Sequence, residues 1–321
     1  MLKDFAKTSP VTFFALPLLI IGLLVLSYFF YSTLLTNQIE ARSTYLKGQL
    51  QVTIDGAHRQ VDEFRSEIPF LSELDDFGVV FTGEDEASSK LRFRLKRLVN
   101  RYNDFIDTLY IYNDSSYYYL GIDSKGTVAE GFGNLIDNQF PLQFTHKTKV
   151  IHLEGNRSLA MIPVYKEDAK DRIYLAVVID VFNLIKLQSD NQYIGDHGFK
   201  IIFSENMGFR EASRGEKELG EFILQRNQQT KIVNSLLEHK GGSLLHSSLK
   251  QPDVMLTVYE PIKLFSDRYG LIFSVSDQDF LKPVKAKLQV IFISFFAIIV
   301  TVIVVFIINL RDVSRNASES N

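Results

Sequence analysis

Two long apolar segments, residues 11–35 and 290–308, lie near opposite ends of the chain and enclose about 250 residues of mixed, globular-type sequence. A helix needs about 20 apolar residues to cross roughly 30 Å of hydrocarbon, so each segment is long enough to span a bilayer. A cleaved signal peptide is the alternative for the first, with Lys3 and Lys7 as its basic start. Its apolar stretch is longer than a signal core, however, and no small-x-small cleavage site follows. Pro17 and Gly22 within it are residue types that membrane helices tolerate. Two spans place both termini on one side. Lys3, Lys7, Arg311 and Arg315 in the tails assign that side to the cytoplasm and the central domain to the outside. Lys282, Lys285 and Lys287 just before the second span argue the other way, although a long domain translocates largely regardless of such charges.

A formal net charge of −3 over 321 residues leaves neither a basic excess for nucleic acid nor an acidic run for a disordered tail, so no nucleic-acid partner is expected. Cysteine is absent, which excludes disulfides, thiolate metal sites and cysteine nucleophiles together. A domain of about 250 residues buries enough surface to stand on its core alone. An external domain without disulfides fits a bacterial envelope, and the expected location is the bacterial inner (plasma) membrane.

After a tail (1–10) and the first span (11–35), residues 36–75 form a long amphipathic helix. Leu50, Ile54, Ala57, Val61, Phe64, Ile68 and Leu71 recur at alternating steps of four and three, which is heptad spacing. Pro69 is expected to end or bend this helix. Two uses of the stripe remain open: packing on the chain's own domain, or a homodimer seam through residues 50–71 and the spans. A second helix follows at Leu91, Leu95, Leu98 and Tyr102, with Lys90, Arg92, Arg94, Lys96, Arg97 and Arg101 on its other faces as a solvated face or an anion-binding wall.

From Ile106 the period turns toward two. Strand-like runs at 106–111, 117–122, 149–153, 158–165 and 173–181 are divided by turns such as Asn113-Asp114-Ser115-Ser116 and Asp123-Ser124-Lys125-Gly126. A helical or loop passage at 181–189 leads to a second cycle. It has a strand at 199–204, a helix near 216–237, a Gly241-Gly242 turn, and strands at 243–248, 254–261 and 269–276. The cycles share an ending in which a strand closes with a proline, a charged loop intervenes and a strand returns, an inexact internal repeat. The modules are residues 76–190 and 191–285, followed by the second span (287–309) and a tail (310–321).

The membrane-emergent helix, the strand-turn-strand at 108–128, the AMIPVY and LTVYEPI segments and the YLAVVIDVFNLIKL segment together resemble the extracytoplasmic double Cache sensor domains of bacterial transmembrane receptors. The resemblance covers residues 36–283. It implies an α+β fold: a two-span membrane protein with a long membrane-emergent helix and two stacked PAS-like antiparallel-sheet modules. The module at 76–190 would be membrane-distal and hold the small-molecule ligand, and that at 191–285 membrane-proximal. In amino-acid-binding members an Arg-x-Trp-Tyr element and a later Asp grip the ligand. Asp180 matches the position of that Asp. The Arg-x-Trp-Tyr element has no match, since the chain has no Trp and the stretch reads Phe140-Pro141-Leu142-Gln143-Phe144-Thr145-His146.

Tyr110, Tyr112, Tyr117, Tyr118 and Tyr119 crowd two adjacent strands, either as cross-strand pairs or as the aromatic wall of a pocket. Asp180 ends an apolar strand, where a carboxylate is costly unless paired; it either caps the next helix or meets a ligand amine. Arg157 and Lys166 flank the SLAMIPVY strand and are exposed loop cations or an anion contact. The ligand-binding candidates are therefore Tyr110, Tyr112, Tyr117, Tyr119, Arg157 and Asp180. His58, His146, His152, His197, His239 and His246 form no H-x-x-x-H pair, and no metal site or cofactor is expected. No nucleophile elbow, Walker loop or dinucleotide fingerprint occurs, so no catalytic residue is assigned.

The chain is thus expected to be a sensing input, not an enzyme. Its output would be a fused cytoplasmic domain of histidine kinase, diguanylate cyclase or chemoreceptor type, with residue 321 a truncation point, or a separate signalling partner. The rival is an assembly protein such as a polysaccharide chain-length regulator, which shares the two-span layout but has a mainly helical external domain.

Overall fold

The computed structural model describes residues 10–74, 77–81, 86–123, 126–135, 149–153, 157–163, 173–196, 198–204, 208–211, 225–247, 254–264 and 267–319. Lys3, Lys7, Lys166, the 140–146 stretch and the first part of the helix expected at 216–237 lie outside them. Helix α1 (Pro10–Leu74) is continuous over 65 residues. It is followed by a 3-10 turn (Phe77–Phe81), α2 (Glu86–Arg101), strands β1 (Ile106–Tyr112), β2 (Ser116–Ile122), β3 (Val128–Asn134), β4 (Lys149–His152), β5 (Arg157–Pro163) and β6 (Tyr174–Asp180), and α3 (Val181–Asp190). Then come β7 (Phe199–Ser204), β8 (Gly208–Glu211), α4 (Arg226–Leu237), β9 (Gly242–Ser247), β10 (Val254–Leu264), β11 (Asp267–Ser276), α5 (Asp277–Phe280) and α6 (Lys282–Glu319).

The elements divide into two units, one holding α1 up to Thr44 and everything from Ser276 onward, the other spanning Tyr45–Val275. In the first, α1 and α6 are each long and apolar enough to cross a membrane, and the apolar window of neither is buried. Tyr31 and Phe292 meet across the pair with ring centroids 6.0 Å apart. Leu18, Ile21, Leu24, Tyr28 and Phe29 on α1 and Val290, Ile293 and Phe296 on α6 are all exposed. So much contiguous apolar surface is what a bilayer covers and what a soluble monomer avoids.

In the second unit the heptad stripe is used internally. Leu50, Ile54, Ala57, Val61, Phe64 and Ile68 are buried within their own chain. The covering groups come from both halves of the domain: the Phe64 ring meets Tyr102 edge-on at 5.5 Å, and His58 Nε2 lies 3.0 Å from the Lys263 carbonyl. This face is therefore not open to a second copy as a dimer seam. Val52, Asp55, Arg59 and Asp62 carry the solvent-facing side. Pro69 does not end the helix, which runs on to Leu74. An interior proline costs about 3 kcal/mol, and a stripe packed up to Ile68 outweighs that.

The first sheet has strand order β3-β2-β1-β6-β5-β4 and the second β8-β7-β11-β10-β9. Without β3, the first order is β2-β1-β6-β5-β4, which maps strand for strand onto the second. The internal repeat is thus a repeat of topology, with α2 leading into β1 and α3 into β7. Turn chemistry sets the hairpins: the Asn113 side chain accepts from the Ser115 and Ser116 amides at 3.0 and 2.8 Å. Pro163 ends β5 as expected, whereas Pro261 lies inside β10. It is tolerated because the pairing with β9 ends at Tyr259, so its missing N–H removes no bond on that side.

His239, just beyond α4, has φ 58°, a left-handed backbone in which glycine is at ease and a β-carbon is crowded. His239→Gly is expected to raise stability by about 0.5 kcal/mol, the relief of crowding exceeding the added unfolded-state freedom. Urea melts of the two proteins check this.

Candidate functional site

Alternation along the strands of the first sheet gathers an aromatic layer on one face. Tyr110 and Tyr112 of β1, Leu159 and Met161 of β5, and Tyr174, Ala176 and Val178 of β6 form one buried cluster, with Tyr117 and Tyr119 of β2 packed against it. Tyr112 stacks on Tyr174 at 5.3 Å and 22°, and Tyr110 meets Tyr117 and Tyr119 at 5.9 and 6.3 Å. Burial, reinforced by the neighbouring phenols, pushes the Tyr110 hydroxyl up to about 12. Burial, with Tyr174 beside it, likewise raises the Tyr112 hydroxyl.

The edge strand β3 makes room for two of the rings. Tyr119 is paired with Gly131 and Tyr117 with Gly133. A Cβ at Gly131 would lie 2.6 Å from the Tyr119 ring and one at Gly133 2.4 Å from the Tyr117 hydroxyl. Both rings therefore lie flat across β3 and stay half-buried.

Tyr118 points the other way, which alternation requires. Its hydroxyl donates to Glu130 at 2.6 Å, and the Arg92 guanidinium lies over its ring and that of Phe132 at 5.6 and 4.9 Å. Lys96 pairs with Glu130 at 2.8 Å, and Arg101 pairs with Glu67 of α1. Half of the α2 cations thus tie helices and sheet together, a use that neither a solvated face nor an anion wall describes. Lys90 and Arg97 are exposed.

At one end of the aromatic face Arg157 and Asp180 are register partners on β5 and β6, sharing the face of Leu159 and Val178. Asp180 caps α3, its carboxylate accepting from the Asn183 amide at 2.8 Å. Asp107, at a register shift between β1 and β6, completes the rim with Oδ2 4.0 Å from Arg157 Nε. Burial raises the pKa of Asp180, and the charge of Asp107 adds to it, against the Asn183 and Phe182 amides and Arg157. Asp107 is raised likewise by burial and lowered by Arg157. One guanidinium at that distance leaves two part-buried carboxylates incompletely compensated.

The six candidate residues therefore share one sheet face. Tyr174, Met161 and Asp107 belong with them and were not singled out by sequence. Tyr174 was accessible through period two from Asp180, whereas Asp107 reaches the rim only through a register shift that no local pattern announces.

The corresponding face of the second sheet is closed differently. Ile201, Phe203, Tyr259 and Ile272 pack under Ile232 and Leu236 of α4, and a Cβ at Gly270 would lie 2.3 Å from Leu236 Cδ1. Beside this contact runs a buried polar chain. His246 Nε2 is 2.7 Å from Thr257 Oγ1, which is 2.7 Å from Ser274 Oγ, and His246 Nδ1 is 3.2 Å from the Ser247 carbonyl. A carbonyl only accepts, so Nδ1 carries the proton and the hydroxyls donate in sequence toward Nε2. Burial holds the His246 pKa below its ordinary value. Its contribution to stability is present above the unfolded value of about 6.5 and is lost as pH falls through that value toward the folded one. Asp107 and Asp180, raised in the fold, act with the opposite sign at lower pH. The expected result is that wild type loses more stability between pH 7 and pH 5.5 than His246→Gln, measured by thermal melts of both proteins.

Among the described residues no cluster of three His, Asp or Glu is placed to hold a metal ion. No protein-family model matches the chain, and no curated protein matches it. Solved structures do. The extracellular domain of a chain described as a histidine kinase, vpHK1S-Z8, superposes with a TM-score of 0.54 at 12% identity, covering 78% of this chain and 96% of that one. Methyl-accepting chemotaxis protein X does so with a TM-score of 0.50 at 11% identity over 76% and 99% of the two chains. For the periplasmic sensory domain of the Campylobacter jejuni chemoreceptor Tlp1 the values are 0.47, 12%, 77% and 98%. At such identities the likeness is one of fold. The chain has the fold of receptor sensor domains, helix plus two antiparallel sheets, as its resemblance to double Cache domains implies.

Proposed function

We propose that this chain is the extracytoplasmic sensing input of a two-span receptor in a bacterial inner membrane. Both termini are cytoplasmic, residues 76–190 form the distal module and residues 191–285 the proximal one. The observation that supports this most is the pairing of a sensor-domain fold, matched over 96% of a histidine kinase extracellular domain, with two flanking helices long and apolar enough to cross a membrane. The ligand is a small molecule held against Tyr110, Tyr117 and Tyr119, with Arg157 and Asp180 at its polar end; Tyr112 forms the floor. Its binding shifts a two-state equilibrium that the helices carry to a fused kinase, cyclase or methyl-accepting domain or to a separate partner, with a coupling of about 1–3 kcal/mol. The assembly-protein rival loses its main support, since it calls for a mainly helical domain and this one is built on two sheets.

The test is a thermal-shift screen of the full chain in nanodiscs against a broad metabolite panel. A specific metabolite is expected to raise the melting temperature in proportion to the logarithm of its concentration. Tyr119→Ala and Arg157→Ala are each expected to weaken that ligand about tenfold or more. Stabilisation that survives both substitutions would place the ligand elsewhere.

A further inference from the structure

Helix α3 has two differently held ends. At its N-terminus the Asp180 carboxylate caps the first turn, and Asn183 Nδ2 donates to the Asp104 carbonyl at 2.6 Å. Near its C-terminus the buried Lys200 ammonium of β7 donates to the Ser189 carbonyl. The Gln188 amide sits so close to α1 that a Cβ on Gly56 would lie 2.4 Å from its Oε1. Just beyond, the Tyr45 hydroxyl of α1 donates to the Tyr193 carbonyl at 3.0 Å. Between these ends α3 packs on both β5 and β7. One short helix thus touches the rim of the aromatic face, the second sheet and α1.

We propose that α3 is a transmission strut, in which the capping bond of Asp180 sets the position of Gln188 against Gly56 and so couples the first sheet to α1. A cap is worth enough that its loss frays the first turn. Only about two turns separate Asp180 from Gln188, so a shift at one end reaches the other before it can be absorbed. A group that draws the Asp180 carboxylate toward the rim withdraws it from Asn183, and α3 answers at α1. That last step rests on the tyrosine face being the ligand site; the strut itself does not.

The experiment is hydrogen-deuterium exchange on the full chain in nanodiscs, without any ligand, so a first module that binds nothing leaves its outcome unchanged. Asp180→Ala is expected to speed exchange about fivefold in the first turn of α3 and measurably in α1 around Gly56. Asp180→Asn, which keeps a capping oxygen, is expected to match wild type. In a Gln188→Ala background the effect of Asp180→Ala on α1 should vanish. Faster exchange confined to residues 181–184, or an unchanged effect on α1 in the Gln188→Ala background, would overturn the strut. Should Asp180→Ala unfold the domain and accelerate β10 and β11 as well, Gln188→Ala alone decides. Coupling is reciprocal, so it must loosen residues 181–184, and unaltered exchange there refutes the proposal.

Discussion

Phe64→Ala is expected to cost the domain about 3–5 kcal/mol, the largest loss of any single substitution considered for α1. Phe64 is fully buried on the inner stripe of the helix, with Tyr102 edge-on against it and Tyr102 in turn hydrogen-bonded to Glu67 at 2.8 Å. Truncation leaves a cavity beside Tyr102, and a ring pair of that geometry is lost with it. Because the stripe is covered by its own chain, the loss should be independent of protein concentration. A dimer seam would instead give a loss that shrinks as concentration rises. Denaturant melts at two concentrations a hundredfold apart separate the two.

Tyr112→Ala is expected to cost about 3–5 kcal/mol as well, whereas Tyr117→Ala should cost less than half of that. The four candidate tyrosines are not equivalent. Tyr112 is fully buried and stacked on Tyr174, so it belongs to the core of the sheet. Tyr117 lies across Gly133 at the sheet edge and stays half-buried. Ligand affinity should follow the reverse order, with Tyr117 and Tyr119 carrying contact and Tyr112 acting only through the floor it forms. Tyr112→Phe keeps the stack on Tyr174 and is expected to cost far less than Tyr112→Ala, about 1 kcal/mol at most. Equal losses for Tyr112→Ala and Tyr117→Ala would mean that both rings serve stability alone.

Much of this architecture is legible in the residues because it is written in period and punctuation. The strand at 199–204 follows from six apolar-rich residues after a glycine, and the Asn113 turn from side-chain chemistry that works within four residues. The heptad stripe from Leu50 to Ile68 shows that a face is buried but not what buries it, since spacing along one helix carries no information about its partner. Asp180 divides similarly. Its capping bond to Asn183 is local and could be weighed beforehand, while its nearness to Asp107 arises only when β1 and β6 pair. Gly131 and Gly133 look like weak points of a strand until the register puts a tyrosine ring over each. Pro69 and Pro261 fail as stop signals because packing on one side, and the end of a neighbouring strand on the other, outweigh the missing N–H.

The most direct measurement is deuterium uptake of the full chain in nanodiscs with and without the metabolite that stabilises it most. Protection concentrated on β1, β2, β5, β6 and the first turn of α3 is the result expected of a sensor that reads its ligand on the tyrosine face. Protection confined to the second sheet, or a full metabolite panel that yields neither stabilisation nor protection, would contradict it.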